Sequence, residues 1–454
     1  MLRVWDDDGD AGMRAPGPVT TESPAVHRSI PAHHVLAVVI GNGLEFYDFL
    51  CYAIFAVYIG ETFFPARDPS TSLLLSLATF GIGFVTRPIG GIVLGGLGDR
   101  IGRKPVMLLS FVLMGAGMLG VALTPSYAQI GLAAPILVLC FRLVQGFALG
   151  GEVGPTTAYM VEAAPPERRG LYGSMQYTSQ DAAIVIASLV GVALSSVLSP
   201  ADLHAWGWRI AFLIGVLIVP FGLLIRRGLP ETLHAADDAA LAPDATTGQL
   251  GFPANIRPHL KIIVFGLLLL TSTTIGTYVL TYMASYSLVT LHLPANISFG
   301  VTVVTSGLAV IFEPVSGLLS DRFGRKPVML FPAIATLLMI FPAFWTISHY
   351  PSALALYASM GAIAIMFALC TPPIIIALTE SLPRKIRSGA VATVYAFAIS
   401  IFGGSTQFVV TWLIRMTGNP MAPAYYWAGA MAMGIAVMLF MPESAPRKLR
   451  RPPA

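Results

Sequence analysis

One string occurs twice in this chain. Gly95–Pro105 reads GGLGDRIGRKP, and Gly317–Pro327 reads GLLSDRFGRKP. From Asp99–Leu108 to Asp321–Leu330 nine of ten residues are identical, at an offset of 222. A second echo has almost the same spacing: Glu162, Pro165 and Arg169 return as Glu380, Pro383 and Arg387, at an offset of 218. Two near-equal long offsets are what two copies of one unit leave behind. Whatever one copy folds into, the other must fold into as well.

Hydropathy says what the unit is. Crossing the hydrocarbon core takes about 20 apolar residues. Runs of that length fall at about 34–60, 72–96, 105–124, 129–160, 170–198, 208–226, 260–290, 297–319, 327–347, 352–379, 388–415 and 422–441. That is twelve, six per copy. The chain is 55% hydrophobic and 11% charged, with a mean hydropathy of +0.74, far from soluble usage in both directions. Inside a bilayer only a helix satisfies the backbone of an isolated run. The expected fold is an all-α membrane protein with twelve transmembrane helices in two pseudo-symmetric six-helix halves. The division predicted is a disordered tail at 1–32, a half at 33–226, a polar linker at 227–258, a half at 259–441 and a tail at 442–454. The first tail carries Asp6, Asp7 and Asp8 with Pro, Gly and Ser after them, too little apolar surface to fold alone. No basic segment with a short apolar core and cleavage site precedes span 1, so a cleaved signal is not expected.

Orientation follows from basic residues. Of 27 Lys and Arg, the two tails and the even loops hold 22, and the odd loops hold only Arg67, Arg209 and Arg415. That asymmetry puts both termini and both DRxGRKP loops on the cytoplasmic side. The basic pI of about 8.9 is therefore topology and implies no nucleic-acid partner. Cys51, Cys140 and Cys370 are far apart inside apolar runs and make neither a disulfide framework nor a metal site. No loop collects a nucleophile, a base and metal ligands, so neither an enzyme nor a cofactor is expected.

The remaining two arginines, Arg87 and Arg142, lie inside spans. An ionisable group there costs about 2.5–3.5 kcal/mol on insertion scales and persists where it faces a wet cavity or a partner. Counting residues along each helix puts Glu45 and Asp48 of span 1, Arg87 of span 2, Arg142 of span 4 and Asp181 of span 5 at similar depth. Three acids against two arginines leave one carboxylate without a fixed partner, and a carboxylate in low dielectric can carry a proton. Glu45 and Asp48 share a helix face, with Asn42 and Tyr47 beside them. Arg142 and Gln145 share another, ahead of Gly146, Gly150 and Gly151, small residues that let a helix approach closely. The bland alternative is a structural set of ion pairs. Glu152 lies nearer the cytoplasm, as a gate or proton exit. Glu313 of span 8 serves as gate or packing. Span 7 offers Thr271, Ser272, Thr273, Thr274, Thr277, Tyr278, Thr281 and Tyr282, and span 11 offers Tyr395 and Gln407; these line a cavity or bond within the bundle. His33, His34, His204, Trp206 and Trp208 read as residues of the membrane interface, the tryptophans as aromatic-belt anchors.

Twelve spans in two halves, with GxLxDRxGRKP after spans 2 and 8, resemble the major facilitator superfamily over about residues 34–441. GNGLEFYDF (41–49), RPIGG (87–91), RLVQGFALGGEVG (142–154), WGWRIAF (206–212) and IFGGSTQ (401–407) are similar to its metabolite:proton symporter branch. The phrases at 130–147 and 417–427 look closest to the citrate and tricarboxylate members. The resemblance implies alternating access about a site between the halves, with gating latches at Asp99, Arg100, Arg103 and Glu162, Arg169 in the first copy and Asp321, Arg322, Arg325 and Glu380, Arg387 in the second. It implies import of a small organic acid with protons across a bacterial inner membrane by a monomer. Arg87, Arg142, Gln145, Tyr47, Asn42, Tyr278, Tyr282 and Tyr395 would bind substrate, and Glu45, Asp48, Asp181 and Glu152 would handle the proton. Asp181 departs from the citrate-like pattern toward that of the osmolyte carriers, so proton-coupled uptake of betaine or proline is the alternative. Span 5 lacks the GxxxGPxxGG pattern of drug antiporters. The short C-terminal tail lacks the heptads of the osmosensing members. A non-transporting sensor is the rival from another class, disfavoured because both tails are too short for an added domain.

Overall fold

A computed structural model describes residues 32–101, 103–150, 164–227, 260–382 and 384–445, all helix, turn or loop, with no strand among them. The two predicted tails and the linker lie almost wholly outside the described residues, as do Glu152 and Glu162. The side chains of Asp48, Asp99, Arg100, Arg103, Arg387, His33 and His34 lie outside them too.

Every run read from hydropathy falls mainly on helix over its described residues. Span 1 is α1 (Ala32–Ile54) and α2 (Ala56–Phe63); span 2 is α3 (Pro69–Ile82) and α4 (Arg87–Ile101). Span 3 is α5 (Arg103–Leu123), and α6 (Ala133–Leu149) is the described part of span 4. Spans 5 and 6 are α7 (Arg169–Val197) and α8 (Trp208–Arg227). Spans 7 to 10 are α9 (Leu260–Val289), α10 (Ala295–Phe323), α11 (Arg325–His349) and α12 (Ala353–Ser381). Span 11 is α13 (Arg384–Ala398) and α14 (Gly404–Thr417), and span 12 is α15 (Ala422–Phe440). Among the described residues eight helices are long and apolar enough to cross a membrane by themselves, and the bent pair of span 1 makes a ninth. Shorter apolar stretches of α5 and α6, together with α8, stand where spans 3, 4 and 6 are expected.

Local chemistry sets the ends and the breaks. Asp68 caps α3 by accepting from the Ser70 N–H at 3.2 Å, with Pro69 preset for a helix start. Span 1 bends by 61° between α1 and α2, around a Phe55 that is wholly buried. Span 11 carries a π-turn at Ile399–Gly403, the kind of bulge that collects at functional sites. The glycine of the second DRxGRKP loop, Gly324, has φ +104, a backbone only glycine adopts freely.

Glycines also set how closely the helices approach. A Cβ on Gly146 would strike the Gly83 carbonyl oxygen, and one on Gly150 the Arg87 carbonyl oxygen. Thr86 reinforces that crossing by donating to the Leu143 carbonyl at 2.8 Å. Spans 2 and 4 therefore meet backbone to backbone, as small residues permit in a membrane. Gly81 and Gly404 make the same kind of crossing between α3 and α14.

Candidate functional site

The two halves meet chiefly along α7 and α10. At the end bearing the DRxGRKP loops, the motif end, Gly170 and Gly317 face each other so closely that a Cβ on either would hit the other's backbone. There the Asp321 carboxylate accepts from the Gly170 N–H at 2.8 Å and the Leu171 N–H at 3.0 Å, the free amides at the start of α7. At the far end Thr302 donates to Ser188 at 2.7 Å. Phe299 packs there on Phe55 and Tyr58, with centroids 5.0 and 6.0 Å away, and against Gly191. Gly170 and Gly191 are 21 residues apart, about 32 Å of helix, close to the thickness of the hydrocarbon core.

Between those two contacts lies a cavity walled by α7, α9, α10 and α13. Its wall is mostly hydroxyl and aromatic: Thr273, Thr274, Thr277, Tyr278 and Thr281 from α9, Tyr177 from α7, Thr305 and Ser306 from α10, Tyr395 from α13. Two carboxyl groups, Asp181 of α7 and Glu313 of α10, complete it, and no Lys, Arg or His is among its described lining residues. Asp181 and Glu313 lie against each other, with Ser306 beside Asp181 and Thr178 beside Glu313. Glu313 is 3% exposed, and its Oε2 meets no donor among the described residues.

The predicted substrate residues divide into two groups. Tyr278 and Tyr395 line the cavity, and Tyr395 hydrogen-bonds Gln180. The others lie behind the wall. Tyr47 donates to the Ala211 carbonyl at 2.9 Å, and Asn42 donates to Ser179 Oγ at 2.7 Å, joining α1 to α8 and α7. Tyr282 accepts from Thr411 at 2.9 Å, tying α9 to α14. Arg142 is fully buried and donates to Gln145 at 2.8 Å.

Both arginines stack on aromatic rings. The Arg87 guanidinium carbon lies 4.2 Å from the Phe49 centroid and 4.1 Å from that of Phe84; that of Arg142 lies 4.5 Å from Phe49 and 4.5 Å from Tyr52. Phe84 in turn touches Tyr278 edge-on at 5.9 Å. Arg87 thus sits one ring back from the cavity, with its Nε and Nη2 hydrogens unpaired among the described residues. Glu45 is buried on α1. Of the five charges expected at similar depth, Arg87 and Arg142 stack on Phe49, Asp181 lines the cavity, and the side chain of Asp48 lies outside the described residues. Glu313 is what the depth count did not connect to Asp181; its signal in the sequence is that it is the one deep acid of the second half.

At the motif end, Arg325 bonds Glu380 through Nε and Nη2, both at 3.1 Å, and Asp321 through Nη1 at 2.7 Å. Glu443 accepts from the Arg325 and Lys326 N–H groups at 2.8 and 3.1 Å, and Ser444 donates to Glu380 at 2.9 Å. Arg322 is exposed beside Phe323, apart from this network. Arg169 starts α7 with its Nε unpaired among the described residues. At the far end His204 pairs with Glu61, and Asp68 faces Arg415 at 3.7 Å. Trp206 is 46% exposed, as a belt residue would be, but Trp208 is fully buried. Trp208 packs edge-on against Phe63 at 5.7 Å, so it is core and not an interface anchor.

A helical membrane protein of two halves, with a cavity between them and contacts on either side of it, has the build of a transporter. Residues 34–245 match the family model described as Sugar (and other) transporter, and residues 295–454 the model described as Major Facilitator Superfamily. A citrate-proton symporter of Klebsiella pneumoniae is 36% identical over 90% of this chain and 91% of its own. A proline/betaine transporter of Escherichia coli (strain K12) is 33% identical over 92% and 84%. Among solved structures, a D-xylose-proton symporter superposes with a TM-score of 0.71 over 91% of this chain and 98% of that one, at 19% identity, a likeness of fold alone. The chain belongs to the major facilitator superfamily: it is a multi-pass membrane transporter and not an enzyme.

Proposed function

We propose that this protein imports a small organic acid, citrate or another di- or tricarboxylate, together with protons, across a bacterial inner membrane with the motif end cytoplasmic. Arg87 carries this reading: it is a buried cation with two N–H groups unpaired among the described residues, one ring from a cavity between the halves. A substrate carboxylate reaching it past Phe84 and Tyr278 would gain charge-assisted hydrogen bonds. The likeness to citrate-proton symporters supports the same class. Alternating access would work by parting the Gly170–Gly317 and Asp321 contacts at one end and the Ser188–Thr302 and Phe299 contacts at the other. Asp321 releasing the amides of α7 is the latch step at the motif end.

One observation favours a second reading, uptake of a zwitterion such as proline or betaine. The cavity wall holds two carboxyl groups and aromatic faces but no described cation, a lining suited to a cationic ammonium group. Counterflow separates the two. Proteoliposomes preloaded with unlabelled citrate should draw in labelled citrate, and external betaine in excess should leave that uptake unchanged. Betaine-driven exchange without citrate exchange would replace the first reading by the second.

A further inference from the structure

We propose that Asp181 and Glu313 together form the seat of the coupled proton: one proton held between two carboxyl groups, one from each half. The inference deepens the transporter reading above and is independent of which substrate is carried. Two ionised carboxylates in contact within low dielectric repel strongly, and a shared proton turns that repulsion into a hydrogen bond. The described cavity lining contains no Lys, Arg or His, and Ser306 and Thr178 supply neutral hydroxyls. The other ionisable groups of the described lining are neutral phenols, Tyr177 of α7, Tyr278 of α9 and Tyr395 of α13, with the Cys370 thiol of α12 beside Tyr177. The cation set back from the wall is Arg87, stacked on Phe84, which touches Tyr278. On α1 Glu45 is buried. Glu313 Oε2, buried without a donor, is satisfied if it carries the O–H itself.

The position gives the proton a mechanical role. Asp181 lies 11 residues from Gly170 and 10 from Gly191, midway between the two crossings of α7 and α10. The pair exists only while the halves are together there, so loading the proton and closing the halves are one event. The proton enters from water on one side, is held between the two carboxyls, and leaves as a hydronium ion on the other side when the helices part. No other bond is made or broken.

The test is infrared difference spectroscopy of the purified chain in lipid during a pH titration, at fixed Na⁺ concentration. The wild type should show a carboxylic-acid C=O band that disappears on alkalinisation and is missing from both Glu313→Gln and Asp181→Asn. Two near-isosteric variants on different helices keep the result readable if one of them folds poorly. The same band in both variants, or its removal by Na⁺ at constant pH, overturns the proposal. Transport adds a second readout. An inward gradient of one pH unit supports about tenfold accumulation per coupled proton. Glu313→Gln should lose that accumulation, and retained accumulation overturns the proposal. If citrate is not carried at all, wild type and variants fail alike in transport, and the infrared band still decides.

Discussion

Arg87 is the residue on which the substrate reading turns. Its side chain is 6% exposed and held by rings on two sides, a cation–π setting that stabilises a charge without using its N–H groups. Among the described residues Arg87 has no ionic partner that its removal would leave buried and unpaired, whereas a hydrogen bond to a charged group contributes about 1.5–3 kcal/mol. Arg87→Gln should therefore express and melt like the wild type, while its half-saturation for citrate rises about tenfold or more. Equal half-saturation in the two proteins removes Arg87 from the site. Gly146 belongs to the same scale. A Val there has no room beside the Gly83 carbonyl, so Gly146→Val should lower the yield of folded protein, read by size-exclusion chromatography.

At the scale of elements, the start of α7 is held by Asp321, which is itself held by Arg325 and through it by Glu380. Asp321→Asn keeps the shape and removes the charge, weakening the cap on two amides by about 1 kcal/mol or more. The motif end should then open more often. In a chain whose three cysteines have been replaced, Ser320→Cys, buried in this structure, should react faster with an impermeant thiol reagent once Asp321→Asn is added; an equal rate counts against the latch. The far end has a pH-dependent counterpart. The Glu61 carboxylate hydrogen-bonds His204 and pushes its imidazole above the usual range, and partial burial offsets only part of this. A group whose folded-state value is raised contributes stability at low pH and loses it as pH rises through that raised value. Both side chains are more than a third exposed, so solvent screening keeps the pair within about 1 kcal/mol. His204→Gln should lower the melting temperature by about a degree or two at pH 5 and leave it unchanged at pH 9.

At the scale of the whole molecule, the fold was legible because a bilayer permits so few answers. Apolar length, basic loops and a repeat at 222 residues lead to twelve helices in two halves, with no knowledge of packing. The site was legible only in part. Depth along a helix follows from residue counting, and it correctly put Arg87, Arg142 and Asp181 inside the bundle. Which way each side chain turns depends on the neighbouring helix, and no periodicity encodes that. Phe49, an unremarked apolar residue of the GNGLEFYDF stretch, stacks on both arginines. Glu313 meets Asp181 only because the α7–α10 crossing brings two distant stretches of sequence together. Tyr47, Asn42 and Tyr282 looked like cavity groups by type, yet each spends its polar atom joining helices.

The central claim is that proton flow drives an organic acid inward through a cavity between the halves. Its most direct test is the uptake of labelled citrate into proteoliposomes of the purified chain, with and without an inward pH gradient, at zero membrane potential. The account predicts accumulation above equilibrium, about tenfold per coupled proton for one pH unit, abolished by a protonophore. Citrate that equilibrates to the same level with and without the gradient would contradict it.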